Sequence, residues 1–257
     1  KYGPKIFCVD AKQGFVIMEF LEHQTNSLSQ EQTTDLLADL LRKIHLGPNF
    51  NKIQNQHFSY AFNVINEKIK ILKTYELPDI PLSKIETIAT TVQKALETHR
   101  TSAPCHNDFD PTNIMFLGNE FRAIDFETAA MDDPYFDIAM AAIFYCKNNP
   151  TSEHLLLSKY LERKPSDIEL SKLYLAKIAD LLCTALCFLS MVPEQFHHYK
   201  TLSVPPYQDF MNAWLAGNKT TESPEHKLMF AKVLINHIFD TVESKEFSNA
   251  TRILNKN

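Results

Sequence analysis

The segment His106-Asn107-Asp108-Phe109-Asp110-Pro111-Thr112-Asn113, followed by Ile124-Asp125-Phe126-Glu127, sets acidic and amide side chains at the ends of short apolar runs. Oxygen donors in such a set suit a reaction that asks little covalent work of the protein. In phosphoryl transfer a carboxylate orients the attacking hydroxyl while other oxygens hold a divalent cation against phosphates. Asp108, Asn113 and Asp125 divide those tasks naturally. The Asp-x4-Asn spacing lets one tight loop present a base and a metal ligand on the same side, and a hairpin returns a second carboxylate opposite. Taken singly, Asp108 and Asp125 are also ordinary turn or capping aspartates; their occurrence together with Asn113 is what points to chemistry. His106 reads as a packing and hydrogen-bonding residue. Asp137 reads as support for the loop from a first helical turn, where an acid also suits the helix dipole. Asp132 and Asp133 stay open between loop surface and substrate contact.

The elements that must carry these residues follow from periodicity and punctuation. Residues 104–133 alternate turn residues with short apolar runs, and IMFL with FRAIDF makes a hairpin. An earlier hairpin is expected from Lys5–Asp10 and Gly14–Leu21 around an Ala11–Gly14 turn. Ser29 caps a helix whose face is Leu36, Leu37, Leu40, Leu41 and Ile44, ending at His45 before Gly47-Pro48. Helices are expected over Tyr60–Tyr75 and Ser83–Thr98, the second opened by a Ser83-Lys84-Ile85-Glu86 capping box. Further helices follow over Pro134–Lys147, Ser152–Leu161, Ser166–Met191, Pro206–Ala216 and Ser223–Val242. The five glycines form neither a GxGxxG nor a GxxxxGK cluster.

The bulk quantities narrow the function classes. In 257 residues, 44% hydrophobic and 22% charged, a sizeable core can form without disulfides or structural metal. A net charge of −5 and no stripe of Lys and Arg argue against a nucleic-acid partner. Cys8, Cys105, Cys146, Cys183 and Cys187 contain no CxxC pair, so neither a disulfide framework nor a zinc site is expected; a reducing, cytoplasmic setting fits, and Cys183 and Cys187 read as small core residues. No uncharged apolar run of about 20 residues is evident, so membrane insertion is not expected. His197-His198 reads as surface or interhelix loop.

HND-x4-N followed by IDFE resembles the signature of choline and ethanolamine kinases and of the aminoglycoside phosphotransferases, which share a protein-kinase-like fold. Phe136-Asp137-Ile138-Ala139 is similar to the FDIA segment of choline kinases, Met18-Glu19-Phe20-Leu21 to their interlobe hinge, and the helix end Leu41–His45 also matches. The resemblance implies an α+β, protein-kinase-like fold: a mostly helical C-terminal lobe with a catalytic hairpin, and a truncated N-terminal lobe. Residues 1–22 would be the remnant of the ATP-binding lobe and hinge, and 23–257 the catalytic and substrate-binding lobe, since the phosphate-covering loop, Lys and Glu-bearing helix of the family are not found before Lys5. It implies ATP and Mg²⁺ as cofactors, Asp108 as catalytic base, Asn113 and Asp125 as metal ligands, and the backbone of Glu19, Phe20 and Leu21 against adenine. The acceptor would be the hydroxyl of choline or a related small amino-alcohol. Glu127, Tyr145, Tyr207 and Trp214 are candidate substrate residues, the aromatics as part of a box for a quaternary ammonium to which Tyr135 and Tyr174 can also contribute, with Trp214 offering the strongest cation–π face. An aminoglycoside or thiamine phosphotransferase, and a non-catalytic pseudokinase-type binding module, are the alternatives.

Overall fold

The computed structural model describes residues 2–48, 59–77, 79–196, 203–217 and 221–256; the His197-His198 pair lies outside them. Its elements run β1 (Ile6–Asp10), β2 (Phe15–Met18), α1 (Gln30–His45), α2 (Tyr60–Leu72), α3 (Leu82–Glu97), β3 (Ala103–Cys105), β4 (Ile114–Phe116), β5 (Phe121–Ala123), β6 (Ala130–Asp132), α4 (Tyr135–Tyr145), α5 (Pro150–Leu161), α6 (Asp167–Ser190), a short 3₁₀ turn Glu194–Phe196, α7 (Tyr207–Leu215), α8 (Pro224–Val242) and α9 (Lys245–Leu254). The chain forms two compact units. One is Lys1–Asn55 with Thr101–Ser166; the other is Gln56–Arg100 with Asp167–Asn257.

The first unit holds the three β-ladders, each an antiparallel pair: β1 with β2, β3 with β6, and β4 with β5. Two of these are the expected hairpins. The β3–β6 pair was not expected, because neither three-residue strand carries a periodic signal; Ala103 opposes Asp132 and Cys105 opposes Ala130. Alongside, α1 packs on α5 and α4. Ser29 starts α1 with a reciprocal box, its hydroxyl accepting from the Gln32 N–H while the Gln32 side chain accepts from the Ser29 N–H. Leu37, Leu40, Leu41 and Ile44 are buried on the face the spacing defines. The turn of the β4–β5 hairpin needs Gly118, at φ +89°, where a Cβ would meet Gln24 Oε1 at 2.9 Å.

Among its described residues the second unit has helices and no strand, and it is built around α6, which packs against α2, α3, α8 and α9. By length and composition α6 is apolar enough to cross a membrane, with a window of mean hydropathy 1.7, although it is not the uncharged run of about 20 residues that the sequence lacks. Lys172, Lys177 and Asp180 interrupt its apolar run. Most of the window, 61%, is buried. Lys172 is 3% exposed and donates to the His99 carbonyl at 2.7 Å, an ordinary solution for a cation in a protein core.

Three expectations are corrected. Ser83 does not cap α3: the helix starts one residue earlier with Pro81 at the cap and no side-chain cap bond. Ser83 therefore already has helical geometry, from which its hydroxyl cannot serve the first-turn N–H groups. The expected series of helices stopped at Val242, yet Ser244 caps the additional α9 by accepting from the Phe247 N–H at 3.0 Å. Cys183 and Cys187 are half-buried rather than buried, and all five cysteines are outside disulfides.

Candidate active site

Asp108 leads the loop between β3 and β4, and Asn113 closes it. The amide of Asn113 donates to Asp108 Oδ2 at 2.8 Å and to the Asp108 carbonyl at 3.0 Å. With its nitrogen so occupied, the amide keeps its oxygen as the group offered elsewhere. Asp110 supports the turn between them, Oδ1 accepting from the Thr112 N–H at 2.6 Å and the Thr112 hydroxyl at 2.5 Å, while the Asn113 N–H donates to the Asp110 carbonyl at 3.1 Å.

The β4–β5 hairpin brings Asp125 back to this loop. The Ile124 N–H donates to the Asn113 carbonyl at 2.9 Å, which sets Asp125 beside Asn113. Asp125 is exposed and has φ +59°, and Asn107 has φ +62°. Left-handed backbone at two non-glycine residues flanking one carboxylate is a strain found where geometry serves a site, and Asn and Asp bear it at the lowest cost. Burial pushes the Asp108 carboxyl above the ordinary range, Asp110 and Asp125 adding to the shift while His106 and the Asn113 hydrogen bond oppose it. Asn113 Oδ1 and the Asp125 carboxylate are hard oxygen donors on adjoining chain segments, a set that fits Mg²⁺.

The loop is held from behind. His106, 0% exposed, donates from Nε2 to the Ile124 carbonyl at 2.8 Å and packs edge-on to Phe126 at 4.6 Å, the scaffold role expected of it. Thr128 ties in the next residue: its hydroxyl donates to the His106 carbonyl, and its own carbonyl accepts from Asn107 Nδ2. Asp137 accepts from the backbone N–H of His106 at 2.7 Å and of Asn107 at 2.8 Å, as its support role requires. Asp132 and Asp133 are buried, so neither is loop surface; Asp133 accepts from Thr101 N–H and hydroxyl and from the Tyr135 N–H.

Of the other candidates, Tyr145 lies in this unit at the end of α4, edge-on to Phe121, and burial with the Asp110 charge pushes its hydroxyl upward. Glu127 is exposed, two residues after Asp125. In the segment 19–21, Leu21 is buried and Phe20 is 89% exposed. The Glu19 N–H is already committed to the Lys5 carbonyl at 2.8 Å, so a base read by this segment would take its donor from Phe20 or Leu21. Tyr207 and Trp214 belong to the other unit. There Tyr207 stacks on His237 at 3.9 Å and Trp214 on Phe230 at 5.7 Å. Sequence reasoning missed Thr128, bonded to His106 and Asn107, and the donation of Arg122 Nη1 on β5 to Glu19 Oε2 at 3.1 Å, contacts set by the fold and by no local motif.

Residues 2–167 match the family described as "Phosphotransferase enzyme family". Protein LicA of Haemophilus influenzae is 26% identical over 136 residues, 51% of this chain and 50% of that protein; the chain thus spans about half the length of that curated relative. A choline/ethanolamine kinase family protein from Mesorhizobium loti has a similar structure, with TM-score 0.70 at 18% identity over 100% of this chain and 80% of that one. The choline kinase LicA from Streptococcus pneumoniae gives 0.59 at 18% identity over 84% and 74%, and a LicA structure in complex with AMP gives 0.57 at 18% over 84% and 72%. At such identities the structures show a common kinase-like fold. The family match covers well over half the chain, its aspartate and asparagine loop included, and this protein is therefore a member of the phosphotransferase enzyme family.

Proposed function

We propose that this protein is a kinase that moves the γ-phosphoryl group of ATP to the hydroxyl of choline or a related small amino-alcohol. The observation that carries the reading is the Asn113 amide locked onto Asp108, with Asp125 returned beside Asn113 by the hairpin. The acceptor oxygen forms a bond to the γ-phosphorus, the bond to the β,γ-bridging oxygen breaks, ADP departs, and the hydroxyl proton passes to the Asp108 carboxylate. Asn113 and Asp125 would hold Mg²⁺, which supplies charge neutralisation on the phosphate oxygens. Phe20 and Leu21 would meet the adenine through their main chain. The LicA complex with AMP supports the nucleotide, and the choline/ethanolamine and LicA choline kinase structures support the acceptor class. The carboxylates Asp108, Asp110 and Asp125 around one loop favour a cationic acceptor.

The test is ADP release with Mg²⁺ and a panel of choline, ethanolamine, thiamine and aminoglycosides, using wild type and Asp108→Asn. Turnover on choline or ethanolamine, lost about 10²- to 10⁴-fold in Asp108→Asn, is the expected result. Turnover on thiamine or an aminoglycoside alone would move the acceptor class, and ATP binding without turnover would leave a binding module. Folding should survive the substitution. The folded state holds the Asp108 proton more tightly than the unfolded chain does, so its contribution to stability is present at low pH and lost as pH rises through the raised value. Asp108→Asn removes that loss, and its Tm at pH 7.5 should equal or exceed wild type.

A further inference from the structure

The β4–β5 hairpin has two outer edges, and both carry bonds to the amino-terminal part of the chain. Inside the hairpin the Ile124 N–H donates to the Asn113 carbonyl and the Leu117 N–H to the Glu120 carbonyl. Ladder bonds alternate along an antiparallel strand, so the N–H and carbonyl of Phe116 turn away from β5, to the outer edge of β4. On the β5 edge the Ala123 N–H donates to the Tyr2 carbonyl at 2.8 Å. On the β4 edge, two residues that follow the 19–21 segment take up Phe116. The Gln24 N–H donates to the Phe116 carbonyl at 2.9 Å, and the Phe116 N–H donates to Nδ1 of His23 at 3.2 Å. A ring nitrogen stands where a neighbouring strand would offer a carbonyl. Since Nδ1 accepts, the neutral ring carries its hydrogen on Nε2.

The other end of the segment is held as well, by Arg122 Nη1 on Glu19 and by the Glu19 N–H on the Lys5 carbonyl. Between these anchors the main-chain groups of Phe20, Leu21 and Glu22 make no hydrogen bond among the described residues. Leu21, 8% exposed, fixes the middle of the run in the core. A strand continuing along β4 would spend alternate main-chain groups of this run on the ladder. A side-chain acceptor satisfies Phe116 and stops the pairing there. Three residues are thereby held at both ends with their donors and acceptors unspent, which is what recognition of a base edge requires.

We propose that His23 is a positioning residue for nucleotide binding: by accepting from Phe116, its Nδ1 is the far anchor of the Phe20–Glu22 main chain that meets the adenine. The inference rests on the adenine contact of the kinase reading for its effect on ATP, but its structural arm does not. Without the acceptor, the run is free at one end, and ATP must order it on binding. That cost weakens ATP affinity and leaves the chemistry of bound ATP unchanged.

The experiment compares wild type, His23→Leu and His23→Asn in the full chain by amide hydrogen exchange at Phe116, by calorimetric ATP affinity and by steady-state kinetics. In His23→Leu exchange at Phe116 rises about 10-fold or more, and the ATP Kd and KM rise about 3- to 10-fold, the worth of one hydrogen bond. There kcat and the acceptor KM stay within about twofold. His23→Asn, whose side-chain oxygen can accept near the Nδ1 position, recovers most of the exchange protection and of the ATP affinity. Wild-type ATP affinity in His23→Leu, a fall in kcat in place of the rise in ATP KM, or His23→Asn as weak as His23→Leu would overturn the proposal. If His23→Leu does not fold, His23→Phe, which keeps a ring without the acceptor, decides by the same criteria. A wild type that binds ATP but turns over no acceptor defeats the kinase reading alone, since exchange and ATP affinity need no acceptor; a wild type that binds no ATP overturns both.

Discussion

Asp108 sits in a loop where every close charge matters, and Asp110 is the carboxylate that acts on it most strongly. A general base works only when ionised, so its raised value places the acid limb of kcat/KM at higher pH than an unperturbed aspartate would. Asp110→Asn takes away the repelling charge while keeping an oxygen that can accept from Thr112. The Asp108 value should fall, and the acid limb of kcat/KM should move to lower pH. A pH–rate profile that keeps its limb in place, or moves it upward, would show that Asp108 is not the titrating base. The residue types and spacing of Asp108, Asn113 and Asp125 were legible in sequence. The sign of the Asp108 shift was not, because it depends on how much water the folded loop admits.

At the scale of elements, one carboxylate ties the hairpin, the segment after it and the catalytic hairpin together. Glu19 Oε2 accepts from the Lys5 N–H at 3.0 Å and from Arg122 Nη1 at 3.1 Å, and Arg122 also donates to Glu120 through Nε and Nη2. Arg122 lies on β5, three residues before Asp125. Arg122→Met keeps the aliphatic stem and removes the fork, so the 19–21 segment loses its tether to the strand that carries Asp125. Because Glu19 is a third exposed, the link is partly screened, and a rise of about 3- to 10-fold in the ATP KM is expected with the acceptor KM unchanged. Glu120→Gln, which leaves the Glu19 contact in place, is the control. Equal effects from the two substitutions would contradict a tether specific to Glu19.

For the molecule as a whole, stability in the second unit is concentrated on α6. Leu182 is fully buried near the middle of that helix. Leu182→Ala should cost about 2–5 kcal/mol in denaturant unfolding, the sum of lost transfer energy and an unfilled cavity. A loss below about 1 kcal/mol would mean that the site collapses or that α6 is less central than its packing indicates. In contrast, β1 and β2 expose Phe7, Val9, Phe15, Val16 and Ile17, and a two-stranded hairpin draws little stability from its own pairing.

The sequence by itself determined what depends on near neighbours. The Ser29 box, the apolar face of α1 and the β4–β5 hairpin are written in three- and four-residue spacings or in turn residues, and Asp108-x4-Asn113 is contained in one loop. The acidic first turn of α4 already marked Asp137 as a support residue. Only the tertiary structure decided that Asp137 reaches the backbone of His106 and Asn107, that His45 and Tyr160 stand behind it, and that Ala103–Cys105 pairs with Ala130–Asp132. Those partners are 25 to 115 residues apart. No local periodicity encodes such contacts; they exist because buried polar groups must find donors wherever the packed chain brings them.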